Sequence, residues 1–364
     1  ITQLAYENDA VNLGQGFPDF NGEQFLMEKA FEAMKEGKNQ YAPAQGTHKL
    51  REQIKRISKK FYDIDLSLSE ILITTGATEG LYASISAFIE KGDEVVIFEP
   101  YFDAYKADVL LAGGIPKYVT LKKPDFTFDP EELNAIINNN TKMIIVNSPH
   151  NPTGKVFSRE ELETIAYYAK RYNLLVLSDE AYEYLTFDDK EHIPFATIDG
   201  MYDRTVTVSS TGKTFGMTGW KIGYIKAKED FIDAILKVRQ WSTYAVNTPG
   251  QHAMAYGFSV FEDYLKRFRA KYLAKRNFVL QNLEETIFKP HKPYGTYYIM
   301  VDLPEEKYEN DLEAVKEIII KHKVALIPPS AFYEKSREGR TMLRICFAKK
   351  EETLAKGMDL LKSI

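Results

Sequence analysis

The sequence predicts an α/β fold: a large domain with a mainly parallel sheet covered by helices, followed by a smaller α+β unit. Three observations predict it. Short β-rich runs alternate with helix-period stretches through the middle of the chain. Near residue 260 the texture changes to one long charged helical stretch. The 364 residues, 44% of them hydrophobic, are too many for one ordinary core at roughly 100–200 residues per domain.

Taken in order, residues 1–40 read as irregular around Gly14, Gly16 and Pro18, and are expected to pack on the smaller unit or at a subunit interface. Within 41–260 the runs Ile71–Thr75, Val95–Phe98, Met143–Asn147, Leu174–Ser178, Thr205–Ser209 and Ile222–Lys226 are the expected strands of the large domain. Ser158 and Glu161 form a capping-box pattern ahead of Leu162, Ile165 and Ala169, so a helix starts there. Gly37 and Gly92 stop two earlier helical patterns. Within 261–364 a helical stretch from Phe261 to Glu285 leads to strands at Tyr297–Leu303 and Met342–Phe347, with a further helix between them.

Composition removes several classes of function. A net charge of −5 argues against a polyanionic partner. The basic run Lys49–Lys60 carries Leu50, Ile54, Ile57 and Phe61 at helical spacing, which makes its charges a solvated helix face and not a nucleic-acid patch. The single cysteine, Cys346, excludes an internal disulfide framework and reads as a small buried strand residue. Six histidines show no metal-ligand spacing, so no metal is expected. The first twenty residues have no basic segment followed by an apolar core, and the charge-free stretch Gln240–Phe261 is broken by Asn247, Pro249 and Gly250. The expectation is a soluble cytoplasmic protein that meets no membrane.

The chemistry concentrates behind the β-like runs. Lys213, in Ser209-Ser210-Thr211-Gly212-Lys213, follows a strand pattern and precedes a second lysine, Lys221. Such a pair suggests an imine-forming lysine, and with its neighbours it implies pyridoxal phosphate, which needs a lysine amine and an acid partner for its ring nitrogen. Asp179 closes the run Leu174–Ser178 at the sheet edge where open α/β sheets bind ligands, although it could equally cap the next segment. Tyr182 could donate to the cofactor's phenolic oxygen or be an ordinary core tyrosine. Asn151, in Asn151-Pro152-Thr153-Gly154, could face the same oxygen from the other side or belong to a plain turn. Gly76-Ala77-Thr78 joins a strand to a helix, so free amides of Ala77 and Thr78 can meet a phosphate, with Ser210 and Lys221 adding a hydroxyl and a cation. Arg344 sits in an apolar strand, where a guanidinium is costly unless it meets an anion, either a substrate carboxylate or a structural partner.

These residues resemble the class I aminotransferases of the fold-type I pyridoxal phosphate superfamily, nearest to the kynurenine, glutamine and methionine aminotransferase branch. The likeness runs over nearly the whole chain. It rests on Asn12 to Phe20, Asn39 to Pro43, Gly76 to Glu79, Glu99-Pro100, Ser148 to Gly154, Ser178 to Tyr182, and Gly212 to Phe215 with Thr218 to Lys221. The resemblance implies a seven-stranded sheet, Lys213 as the anchoring lysine, Asp179 on the ring nitrogen, and Tyr182 with Asn151 at the phenolic oxygen. It further implies Phe102 stacked on the ring, phosphate contacts from Ala77, Thr78, Ser210 and Lys221, and Arg344 gripping the substrate carboxylate near Gly16. Tyr41 would reach in from the other subunit of a homodimer. The implied reaction moves an amino group between an amino acid and a 2-oxo acid. Tyr244-Ala245-Val246-Asn247 replaces the aromatics that often shape this branch's side-chain pocket, which fits methionine-like or broadly neutral substrates.

Rival readings arise from the same motifs. A phosphate-loop nucleotide enzyme fails at Thr207, where G-x-x-x-x-G-K-[ST] needs glycine. A carbon–sulfur β-lyase on the same fold is harder to separate, because it uses the same residues.

Overall fold

The computed structural model describes residues 1–304 and 306–364. Among the described residues twelve strands form three sheets: β1 (Val11–Asn12), β2 (Ile71–Thr74), β3 (Glu94–Glu99), β4 (Ile115–Thr120), β5 (Thr141–Asn147), β6 (Leu175–Asp179), β7 (Thr205–Ser210), β8 (Gly223–Lys226), β9 (Lys289–His291), β10 (Tyr298–Asp302), β11 (Val324–Ala325) and β12 (Met342–Cys346). The central sheet has seven strands in the order β2-β8-β7-β6-β5-β3-β4. Its β7, β6, β5, β3 and β4 are mutually parallel, and β8 runs antiparallel to both of its neighbours. The expected fold class is the observed one.

Why the sheet forms is visible strand by strand. β3 is buried along its whole length, and β5 is buried at all but one position, as strands covered by helices on both faces must be. The helix Arg159–Arg171 begins on the expected capping box, with the Ser158 hydroxyl accepting from the Glu161 amide and the Glu161 carboxylate accepting from the Ser158 amide. Behind the sheet, the charged residues of His48–Tyr62 face outward while Leu50, Ile54 and Ile57 are buried.

Two features depart from the expectation. β4 was not anticipated, because Pro116 weakens the pattern; at a sheet edge a proline costs no ladder bond. The first forty residues are more regular than expected. They hold a six-residue helix, Thr2–Glu7, and a twelve-residue helix, Gln24–Lys35, whose Leu26, Ala30 and Ala33 are buried although no side chain caps its start. β1 pairs in parallel with β11, which fastens this segment to the C-terminal part of the chain.

The C-terminal part contains the helices Phe261–Leu283, Asp311–His322 and Glu351–Lys362 and the antiparallel sheet β12-β10-β9. In that sheet Met300 of β10 pairs with Arg344 of β12, and Tyr298 with Cys346. The register matters because it aims Arg344 toward the ends of the parallel strands.

Candidate active site

The carboxyl ends of β5, β6 and β7 define one edge of the central sheet. Asn147 and Asp179 are register partners there, and Ser210 ends β7 nearby. A cavity of about 530 Å³ opens on this edge. Its lining includes every candidate from the sequence except Tyr41: Gly16, Ala77, Thr78, Phe102, Asn151, Asp179, Tyr182, Ser210, Lys213, Lys221 and Arg344. Residues separated by more than three hundred positions thus meet in one space. Tyr41 lies elsewhere, 83% exposed and edge-on against Tyr244.

Lys213 occupies the short helical turn Thr211–Thr214 directly after β7. Its Nζ lies 3.1 Å from the Tyr297 hydroxyl and 3.4 Å from the Gly16 carbonyl oxygen. Burial lowers its proton affinity and Lys221 and Arg344 lower it further, against the pull of Asp179, leaving a pKa of about 8. An amine held there is partly neutral near pH 8, the form that attacks carbonyls and accepts protons.

That shift has a consequence for stability. Between pH 8 and the usual lysine value of 10.5 the unfolded chain binds the additional proton, so stability rises with pH in that window. Below it both states are protonated and the fold carries the whole cost of a confined ammonium. Cofactor-free Lys213→Met is therefore expected to be more stable at pH 7 by on the order of 2 kcal/mol, less than full burial would give because the side chain looks into the cavity. The gap should close toward pH 10.5, and equal denaturation midpoints at pH 7 would contradict it.

Asp179 is buried, and burial raises its pKa. Two donors oppose that rise: the Tyr105 hydroxyl at 2.6 Å from Oδ2 and the Ala181 amide at 3.1 Å from Oδ1. Asn147 reinforces the floor, donating to the Asp179 carbonyl at 2.9 Å and accepting from the Asn151 amide at 2.8 Å. The Tyr182 hydroxyl bonds to that of Tyr298 at 3.2 Å.

At the other end of the cavity, Gly76 (φ +73°) begins the helix Gly76–Phe88. A Cβ added to Gly76 would come within 3.2 Å of Lys221 Nζ, so a larger residue would crowd this cradle. Lys221 Nζ lies 3.5 Å from Thr78 Oγ1. Helix-start amides, a hydroxyl and an ammonium form a donor set for a dianion.

Arg344 projects from β12 with no carboxylate partner among the described residues. Its Nη1 donates to Asn151 Oδ1 at 3.3 Å and its Nη2 to the Gly14 carbonyl at 3.2 Å. The guanidinium carbon stands 4.3 Å from the Tyr298 ring centroid, and Nε is buried without a partner. The structural salt bridge allowed by the sequence is therefore not what holds it. At Gly16 a Cβ would fall 2.1 Å from the Tyr298 hydroxyl, which explains glycine there.

Sequence reasoning missed Tyr105, Asn147, Tyr297 and Tyr298. Asn147 could have been found from its place at the end of a strand parallel to the one ending in Asp179. The tyrosines left no such signal, since buried tyrosines are common core residues. No metal-ligand spacing is visible in the sequence either, yet Glu180, Glu183 and His192 gather in a buried group that does not line the cavity. Lys226, 3.6 Å from Glu183 Oε2, supplies positive charge to it.

Against known proteins, residues 8–361 match the family model "Aminotransferase class I and II". The chain belongs to this family of pyridoxal phosphate-dependent aminotransferases. A kynurenine–oxoglutarate transaminase of Dictyostelium discoideum is 36% identical over 99% of this chain and 92% of its own. A methionine aminotransferase of Escherichia coli is 36% identical over 100% of this chain and 94% of its own. The solved N-succinyldiaminopimelate aminotransferase of Mycobacterium tuberculosis superposes with a TM-score of 0.96 at 36% identity, covering 100% of this chain and 95% of that one. The aminotransferase fold thus extends over the whole chain. The donor set at Gly76–Thr78 and Lys221 suits the cofactor's phosphate, Asp179 its ring nitrogen, and the unpartnered Arg344 Nε a carboxylate.

Among the described residues no helix is long and apolar enough to cross a membrane.

Proposed function

We propose that this aminotransferase transfers the amino group of a neutral, sulfur-containing or aromatic L-amino acid, such as methionine, glutamine, kynurenine or a phenylalanine-like substrate, to a 2-oxo acid. The observation that carries this reading is Arg344. It is the one arginine lining the cavity among the described residues, and it has no carboxylate of its own. One guanidinium serves one α-carboxylate, bidentately. The remaining wall, with Phe102, Ile327, Pro328 and Phe332, offers a substrate side chain apolar contact and, among the described residues, no second guanidinium.

Pyridoxal phosphate, when bound, supplies an aldehyde that condenses with amines and a ring that withdraws electrons from the substrate's α-carbon. The chain's own residues divide the remaining work. Ala77, Thr78, Ser210 and Lys221 hold the phosphate, Phe102 stacks on the ring, and Asp179 keeps the ring nitrogen protonated. Tyr182 and Asn151 flank the phenolic oxygen, and Arg344 with the Gly16 region orients the substrate. Lys213 would anchor the cofactor and, once its amine is free, would take the proton from the substrate's α-carbon. Two half-reactions sharing one site give ping-pong kinetics. We place residues 41–260 in the cofactor-binding domain and 261–364 in the smaller one, with residues 1–40 against it or at the interface. We take the enzyme to be a cytoplasmic homodimer in which the exposed Tyr41 completes the partner's phosphate site.

Purified enzyme assayed with methionine, glutamine, kynurenine and cystathionine, with and without a 2-oxo acid, tests the reading. The expected result is amino transfer that requires the acceptor. Pyruvate and ammonia formed from cystathionine without any acceptor, with no transfer from the other donors, would make the protein a carbon–sulfur lyase instead.

A further inference from the structure

Lys213 has one side-chain hydrogen-bond partner among the described residues, and it is a residue with no place in the scheme above. That partner is Tyr297, the residue immediately before β10. Its hydroxyl donates to the Gly16 carbonyl oxygen at 2.8 Å, which commits its single proton. The oxygen can then only accept from the lysine 3.1 Å away. The ring is 1% exposed and wedged among other tyrosines: edge-on to Tyr182 at 5.2 Å, edge-on to Tyr298 at 4.9 Å, and stacked on Tyr272 at 6.0 Å. A side chain packed on these sides has no second rotamer to visit, so its lone pair is a fixed point in the site.

We propose that Tyr297 is a positioning residue for the reaction: it holds the ε-amine of Lys213 at one place beside Gly16 whenever that amine is not covalently engaged. The inference rests on Lys213 being the anchoring lysine. It adds to that reading a reason why the amine, once freed, stays within reach instead of swinging across a 530 Å³ cavity on four rotatable bonds. The contact also links two parts of the molecule. Lys213 follows β7 of the central sheet, whereas Tyr297 leads into β10, the strand paired with the one that carries Arg344. The group that moves the proton and the group that grips the carboxylate are thereby referred to a common frame. Gly16 closes this frame from the N-terminal segment, its carbonyl oxygen approached by Lys213, Tyr297 and Tyr298 at 3.4, 2.8 and 3.5 Å.

An oxygen that only accepts favours the protonated amine. Removing it should make Lys213 a weaker base, in addition to letting it wander. The test compares unsubstituted protein, Tyr297→Phe, and Tyr272→Phe, which removes a neighbouring buried hydroxyl that does not touch Lys213. Cofactor-free protein is treated with formaldehyde and cyanoborohydride across pH, and methylation at position 213 is followed by peptide mass spectrometry. The expected result is a titration midpoint lower by about one unit in Tyr297→Phe and unchanged in Tyr272→Phe. In the loaded enzyme Tyr297→Phe should lower kcat about 10- to 100-fold with KM for the amino acid within about threefold. Identical midpoints in all three proteins, or equal shifts in both variants, would overturn the inference. The underlying reading fails separately: borohydride reduction of the loaded, unsubstituted enzyme would then leave its mass increment on a residue other than Lys213.

Discussion

Lys213→Ala is expected to abolish amino transfer, lowering kcat by at least about 10⁴-fold, the largest effect of any single substitution in this protein. On the proposed reading two functions vanish together with the amine, the covalent hold on the cofactor and the carrier of the α-proton. Neither has a stand-in. Among the described residues lining the cavity the other lysine is Lys221, which faces Thr78 at 3.5 Å at the phosphate end. Stopped-flow measurement of a single half-reaction, with the variant loaded with cofactor, separates slow chemistry from weak loading. A rate within tenfold of the unsubstituted enzyme would remove Lys213 from the mechanism. Lys213→Arg should do no better, because a guanidinium stays protonated at every accessible pH and is a poor nucleophile.

Asp179→Asn is expected to lower kcat by about 10²- to 10³-fold and to weaken cofactor binding, while the protein stays folded. The amide is nearly isosteric and keeps the Ala181 contact to its oxygen. What it loses is the charge. Burial already pushes the Asp179 carboxyl toward its neutral form, and the Tyr105 hydroxyl and Ala181 amide hold it back. That opposition is a means of keeping an anion in a dry place, where its effect on a ring nitrogen is greatest. If Asp179 holds the ring nitrogen as proposed, the variant removes the partner that keeps it protonated, so the absorbance of the bound cofactor should shift along with the rate. Unchanged kcat with an unchanged spectrum would assign Asp179 to capping the Glu180–Tyr182 turn alone.

Much of the architecture could be read from the chain because the strands that matter are the buried ones. β3, β5, β6 and β7 have apolar or β-branched centres, and the residues at or just beyond the ends of β5, β6 and β7 supply Asn151, Asp179 and Lys213. What escaped detection lacked such periodicity. β4 alternates weakly and contains a proline; the helix Gln24–Lys35 starts without a capping side chain. Tyr105 and Tyr297 were invisible for a different reason. Nothing distinguishes a tyrosine whose hydroxyl meets a reactive group from one that fills space, because the difference lies in which distant residue arrives opposite it. Arg344 was legible by contrast, since a guanidinium inside a strand always demands an explanation.

The order of the strands carries a last implication. Ser210, Lys213 and Lys221 all lie on the single β7–β8 hairpin, whereas Arg344 and Tyr297 ride on the separate sheet formed by β10 and β12. On the proposed reading the anchoring amine and the phosphate's cation come from one compact hairpin, with Ala77, Thr78 and Asp179 joining them from other strand ends of the same central sheet, and the carboxylate grip comes from the second sheet. On that reading, substitutions confined to the second sheet would change which amino acids are accepted while leaving the anchoring hairpin untouched.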